Sequence, residues 1–141
     1  MIKKLFDRFF ESLEQGANLN KVLRDGGLKI TGEWKSKKLC INDQELDIHI
    51  LNKNKVKHSL VKFHWGDDSK ESRTTALAIL LWFLPRTEAL NTRDIFFRDF
   101  VSQFKNDFDI WFEYEYWRNR RSGIDRKFKR KPIDTDGYGE V

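Results

Sequence analysis

The chain has 141 residues, 39% hydrophobic and 14% aromatic, with a formal net charge of +5. That length fits one domain, and the longest apolar run, Ala76–Leu84, spans nine residues, far short of the roughly 20 a membrane helix needs. The lone Cys40 excludes an internal disulfide and a multi-cysteine zinc site. Charges at Lys3, Lys4 and Asp7 interrupt the start where a signal peptide would carry its apolar core. A soluble protein of the cytoplasm is expected, with no membrane partner.

In chain order, Ile2, Leu5, Phe6, Phe9, Phe10 and Leu13 recur at helical spacing, which predicts a helix over 2–14 that stops near Gly16. A second short helix is expected over Asn18–Arg24, ended by Gly26-Gly27. From Leu28 the pattern turns to strands: Leu28–Trp34, a turn at Lys35-Ser36-Lys37, Lys38–Ile41, the tight turn Asn42-Asp43, then Leu46–Ile50. Asn52–Lys55 reads as a loop, and Val56–Trp65 as a further strand centred on Leu60–Phe63. Ser69 or Ser72 is placed to cap the next helix, because a hydroxyl there accepts from a free backbone N–H. That helix, Thr74–Leu84, is apolar enough to cross the centre of the core, and Pro85 ends it. A helix over about Thr92–Lys105 follows. In Asp107–Trp117, Phe108, Ile110, Phe112, Tyr114 and Tyr116 alternate as in a strand, while Trp111, Glu115 and Arg118 also suit a helix running into the basic segment; a short strand followed by a helix is expected.

The positive charge is concentrated. Between Arg118 and Lys131 stand eight basic residues against the single acid Asp125, so the basic character belongs mostly to one segment. The organisation read from this is one α+β domain over 1–121, a small antiparallel sheet packed against a central apolar helix with flanking helices, and a basic, loosely ordered tail over 122–141.

Chemistry-bearing residues are scattered. His58, His64, Asp67 and Asp68 are metal-ligand types without a ligand spacing. Asp67 and Asp68 beside Ser69 and Ser72 could line a small polar pocket, but two acids ahead of a helix are the ordinary partners of its dipole. Cys40, in a strand, is expected to act as a small apolar residue. No metal, no cofactor and no catalytic residue is expected. The aromatic and basic residues near the C-terminus form the stronger lead: Trp111, Tyr114, Tyr116, Trp117, Arg118, Arg120, Arg121, Arg126, Lys127, Lys129, Arg130 and Lys131. Trp, Tyr and Arg are the residue types of binding hot spots, and guanidinium groups beside rings also suit phosphates and bases. The same aromatic stripe would equally serve as core.

Gly32-Glu33-Trp34, Leu39-Cys40-Ile41-Asn42, Leu46, Ser59, Phe63-His64-Trp65-Gly66, Ala76-Leu77-Ala78-Ile79-Leu80-Leu81, Phe97–Val101 and Asp107-Phe108 resemble a domain family of unknown function found in bacteria, phages and mobile elements. The resemblance covers about residues 31–117. The link from Asp67 to Arg73 departs from it, lacking the family's glycines. It implies a compact α+β domain in a mobile-element setting, and no activity. Together these readings lead to a non-catalytic binding protein acting by protein–protein contact on a host protein or ribonucleoprotein complex, such as a CRISPR-type defence complex. A nucleic-acid-binding accessory protein and a small-molecule-binding domain are the alternatives.

Overall fold

The computed structural model describes the backbone of residues 2–120 and the side chains of residues 13–119. Among these are five α-helices and a four-stranded antiparallel sheet, an α+β arrangement. Residues 121–141, which hold most of the basic segment and the predicted tail, lie outside the described residues.

Helix α1 runs unbroken over Ile2–Asp25, in place of the two helices expected with a stop at Gly16. A helical glycine costs only about 1 kcal/mol, and the flanking turns are held from outside. The Gln15 side-chain amide donates to the carbonyls of Leu81 (2.9 Å) and Leu84 (2.6 Å), and that of Asn18 donates to Trp82 (2.9 Å). The helix ends where expected: Gly26 takes φ +83°, a left-handed conformation that glycine enters without strain. A side chain on Gly27 would overlap the Phe112 carbonyl, so the chain enters the sheet at a position only glycine fits.

Strands β1 (Leu28–Glu33), β2 (Lys38–Ile41) and β3 (Gln44–Glu45) follow as a meander. Asn42 and Asp43 both have positive φ, 51° and 69°, the conformation of the predicted two-residue hairpin turn. Asn42 also carries the ladder beyond β2, donating its N–H to Lys29 O and accepting from Lys29 N at Oδ1. The strand expected over Leu46–Ile50 is absent. Leu46 N still bonds Leu39 O, but Asp47 Oδ1 then accepts from His49 N, turning the chain into the short helix α2 (Ile50–Lys53).

Residues 56–65 form no strand either. Their backbone groups find partners outside any ladder: Leu60 N donates to the His58 ring and His64 N donates to Thr75 Oγ1. Val61, at the centre of the expected strand, is 85% exposed.

Helix α3 (Lys70–Leu81) is buried along most of its length, from Ser72 and from Thr75 through Leu81. Pro85 stands at the start of the next helix, α4 (Arg86–Asp99). This is six residues earlier than the predicted Thr92 start, because proline is as suited to opening a helix as to following one. The helix also stops short of Lys105, giving way to a 3₁₀ turn at Val101–Gln103. Strand β4 (Phe108–Phe112) and helix α5 (Tyr114–Arg120) complete the described chain and match the strand-then-helix reading.

The sheet order is β3-β2-β1-β4. Leu28, Ile30 and Gly32 of β1 stand opposite Phe112, Ile110 and Phe108 of β4, and Ile30 and Gly32 stand opposite Ile41 and Leu39 of β2. Strand alternation puts these residues on one face, and the buried members of this set join the helices' apolar residues in one core. Lys29, Thr31, Cys40, Asp109 and Trp111 fall on the other face. Any side chain at Gly32 would strike the Phe108 ring, which therefore fixes how closely β1 and that ring approach.

Candidate functional site

The four potential metal ligands go to three separate places. His58 accepts from Leu60 N at Nδ1, so its Nε2–H donates to Asn52 Oδ1 at 2.8 Å. Asp68 pairs with Arg73 at 2.9 Å. His64 pairs with Asp67, Nε2 to Oδ2, at 2.7 Å. Among the described residues no three His, Cys, Asp or Glu side chains converge as a metal site.

Asp67 belongs to the N-terminus of α3. Its Oδ1 accepts from the hydroxyls of Ser69 (2.6 Å) and Ser72 (2.7 Å), and from Ser69 N (3.2 Å). Ser69 Oγ in turn accepts from Ser72 N, capping the helix. These bonds, the Ser69 hydroxyl first and the His64 ring next, hold the Asp67 carboxyl well below the ordinary carboxylate range. The carboxylate sits between the serines and the imidazole, so among the described residues no hydroxyl is seen bonded to His64 as a nucleophile–base relay would need. The cluster's described bonds are those of a helix cap and a loop anchor.

The surrounding rings complete that anchor. The Trp65 indole N–H donates to the carbonyls of Lys105 and Asn106, both at 3.0 Å. Its ring meets Trp34 and Phe108 edge-on, at 5.5 and 5.4 Å between centroids. Gly66 takes φ +90° and donates its N–H to Val101 O. The run Phe63-His64-Trp65-Gly66 thus joins the 3₁₀ turn, the start of α3 and the loop after β1.

The C-terminal aromatic set divides in two. Tyr114 and Trp117 are buried, so of the residues proposed for binding these two take the core-facing alternative. The Trp117 ring stands against Phe112 at 5.3 Å and Phe96 at 5.8 Å, and its N–H donates to Asp99 Oδ2 at 2.9 Å. Tyr114 meets Phe83 at 4.9 Å and reaches Glu88 with its hydroxyl at 3.4 Å. Positions 114 and 117 share one helix face, a spacing that strand alternation obscured. Trp111 and Tyr116 remain outside, 48% and 51% exposed. Arg118 is exposed and stands 3.5 Å from Glu115. Arg120 ends α5, and Arg121, Arg126, Lys127, Lys129, Arg130 and Lys131 lie outside the described residues.

Trp111 occupies the open face of the sheet. Its cross-strand neighbour Lys29 is bonded to Asp43 at 3.1 Å, and the ammonium's pKa is raised first by that bond and then by the charges of Asp43 and Asp109. The charge beside the ring is therefore already balanced. A cleft of about 300 Å³ opens elsewhere, between α1, β3, α2 and the end of α3, lined in part by Glu14, Glu45, Asp47, Lys53, Leu81 and Trp82. No described helix is long and apolar enough to cross a membrane.

An α+β domain whose paired polar groups serve its own scaffold is what the geometry defines. Residues 29–129 match a family of unknown function, DUF6166, and the chain belongs to that family. The match takes in the described elements from β1, less its first residue Leu28, to α5 and leaves α1 outside it. No curated protein and no solved structure matches the chain.

Proposed function

We propose that this chain is a non-catalytic binding protein that acts by contact with a protein partner through the surface of β4 and α5. The observation that carries this reading is the exposure of Trp111 and Tyr116 on consecutive elements, followed by Arg118. Rings exposed to this degree are the residue types on which interface energy concentrates. The balanced charge of Lys29 beside Trp111 favours a protein over a phosphate backbone at that ring. In the mobile-element setting that the sequence resemblance implies, the partner is a host defence complex in the bacterial cytoplasm, of the CRISPR type.

The test is affinity purification of the tagged chain from bacterial lysate, with and without nuclease, compared with the Trp111→Ala/Tyr116→Ala/Arg118→Ala variant. A protein complex that survives nuclease and is lost by the variant is the expected result. Recovery of nothing above background overturns the reading.

A second reading is favoured by the eight basic residues between Arg118 and Lys131: a nucleic-acid-binding accessory protein gripping phosphate with that segment. Its mark is binding that weakens steeply with salt and disappears on truncation after Gly123.

A further inference from the structure

The loop between β1 and β2 carries a feature that the binding surface above does not use. Lys37 is one of the few non-glycine residues with positive φ, 60°. This conformation turns its side chain back over the loop, and the ammonium rests on the face of the Trp34 indole, 5.7 Å from the centre of the Trp65 ring. The His64 ring packs against Trp34, tilted 49° at 5.4 Å. Trp65 is 1% exposed.

The rings are rigidly held. Trp65 is fixed by its bonds to Lys105 O and Asn106 O, His64 by Asp67, and the backbone of Trp34 by a bond from its N–H to Asp107 Oδ1 at 2.8 Å. Faces of electron-rich rings around a cation are the arrangement by which proteins recognise quaternary and methylated ammonium groups.

We infer that Trp34 and Trp65, with His64 packed behind Trp34, form a cation-binding cage for an alkylated ammonium, occupied in this structure by the chain's own Lys37. The internal occupant fits imperfectly. Burial lowers the Lys37 pKa, with Asp67 opposing that shift and Lys62 adding to it. A primary ammonium is strongly hydrated, so its stay against these rings costs solvation. An alkylated ammonium is less hydrated and loses less on entering. Lys37 is then a plug: it keeps the rings covered until a better-suited cation displaces it.

The probe is tetramethylammonium, titrated against sodium at equal ionic strength and read from the indole N–H resonances of Trp34 and Trp65, assigned with Trp34→Phe. Lys37→Gly removes the plug and accepts positive φ without strain; Lys37→Asn is a second plug-free variant that also tolerates it. Both are expected to show saturable shifts, with midpoints about tenfold below the wild-type one, and Trp34→Leu in the Lys37→Gly background to weaken binding about tenfold. No saturable shift in either plug-free variant, an unchanged midpoint without Trp34, or a response to sodium equal to that to tetramethylammonium would overturn the inference. A trimethyllysine peptide and choline then distinguish the source. Tighter binding of the peptide upholds the cage as a reader of a partner's side chain, and tighter binding of choline upholds it as a site for a free amine.

Discussion

The corner around Trp65 and Asp67 and the surface around Trp111 and Tyr116 are built from similar residue types to opposite ends. In the corner, an acid, an imidazole, two hydroxyls and two indoles bond to one another or to backbone within the fold. On the β4–α5 surface, two large rings are left half in water. A buried polar group without a partner costs stability, so a network in which each member serves another is what a scaffold requires. Exposed rings gain little from folding and are suited to contact outside it.

The comparison can be broken by exchanging the two behaviours. Trp65→Ala should be the most damaging change, removing a fully buried indole and both of its backbone bonds; a loss of about 3–5 kcal/mol is expected in urea unfolding. Asp67→Ala should cost about 2 kcal/mol in the same measurement, through the loss of the acceptor that holds the Ser69 cap in place and the stranded Ser72 hydroxyl.

The Asp67 carboxyl has its pKa depressed in the folded state. Its contribution is therefore complete above the unfolded-state carboxylate pKa and is lost as pH falls from about 4 toward the folded value. Stability curves of wild type and Asp67→Asn should converge as the pH is lowered through that range; parallel curves would show that the carboxylate contributes nothing.

Gly32→Ala drives a methyl group into the Phe108 ring beside Trp65, and about 1.5 kcal/mol of destabilisation is expected from overpacking, read as a lower melting midpoint. At the small end, Trp111→Ala and Tyr116→Ala should each leave stability within about 0.5 kcal/mol of wild type. The same two changes should weaken binding of the captured partner about tenfold or more, measured by titration. A large stability loss from either would return that ring to the scaffold.

What the sequence disclosed was the chemistry of single positions. The cap at Ser69, the Asn42-Asp43 turn and the stop at Gly26-Gly27 depend on nearby backbone, and each was legible; the helix expected over Thr74–Leu84 with Pro85 as its end instead runs Lys70–Leu81, and Pro85 opens α4. The segments that were misread depend on distant neighbours. Gly16 stays helical because Gln15 and Asn18 reach the end of α3, and His64 is kept out of a ladder by Thr75. The division of Tyr114 and Trp117 from Trp111 and Tyr116 was hidden for another reason. The segment changes period from two to 3.6 within it, at Glu113, and neither pattern alone sorts the four rings. The role of Lys37 was not legible either, since its side chain meets Trp65 only after the loop has folded back.

The helix α1 lies before the region shared with the family, yet it has become part of the molecule's internal accounting. Gln15 and Asn18 act as a latch across the end of α3 and the turn that follows it, answering the carbonyls of Leu81, Trp82 and Leu84. Among the described residues the join between α1 and the rest of the fold is apolar at Leu19 and Val22, and polar and directional at Gln15 and Asn18.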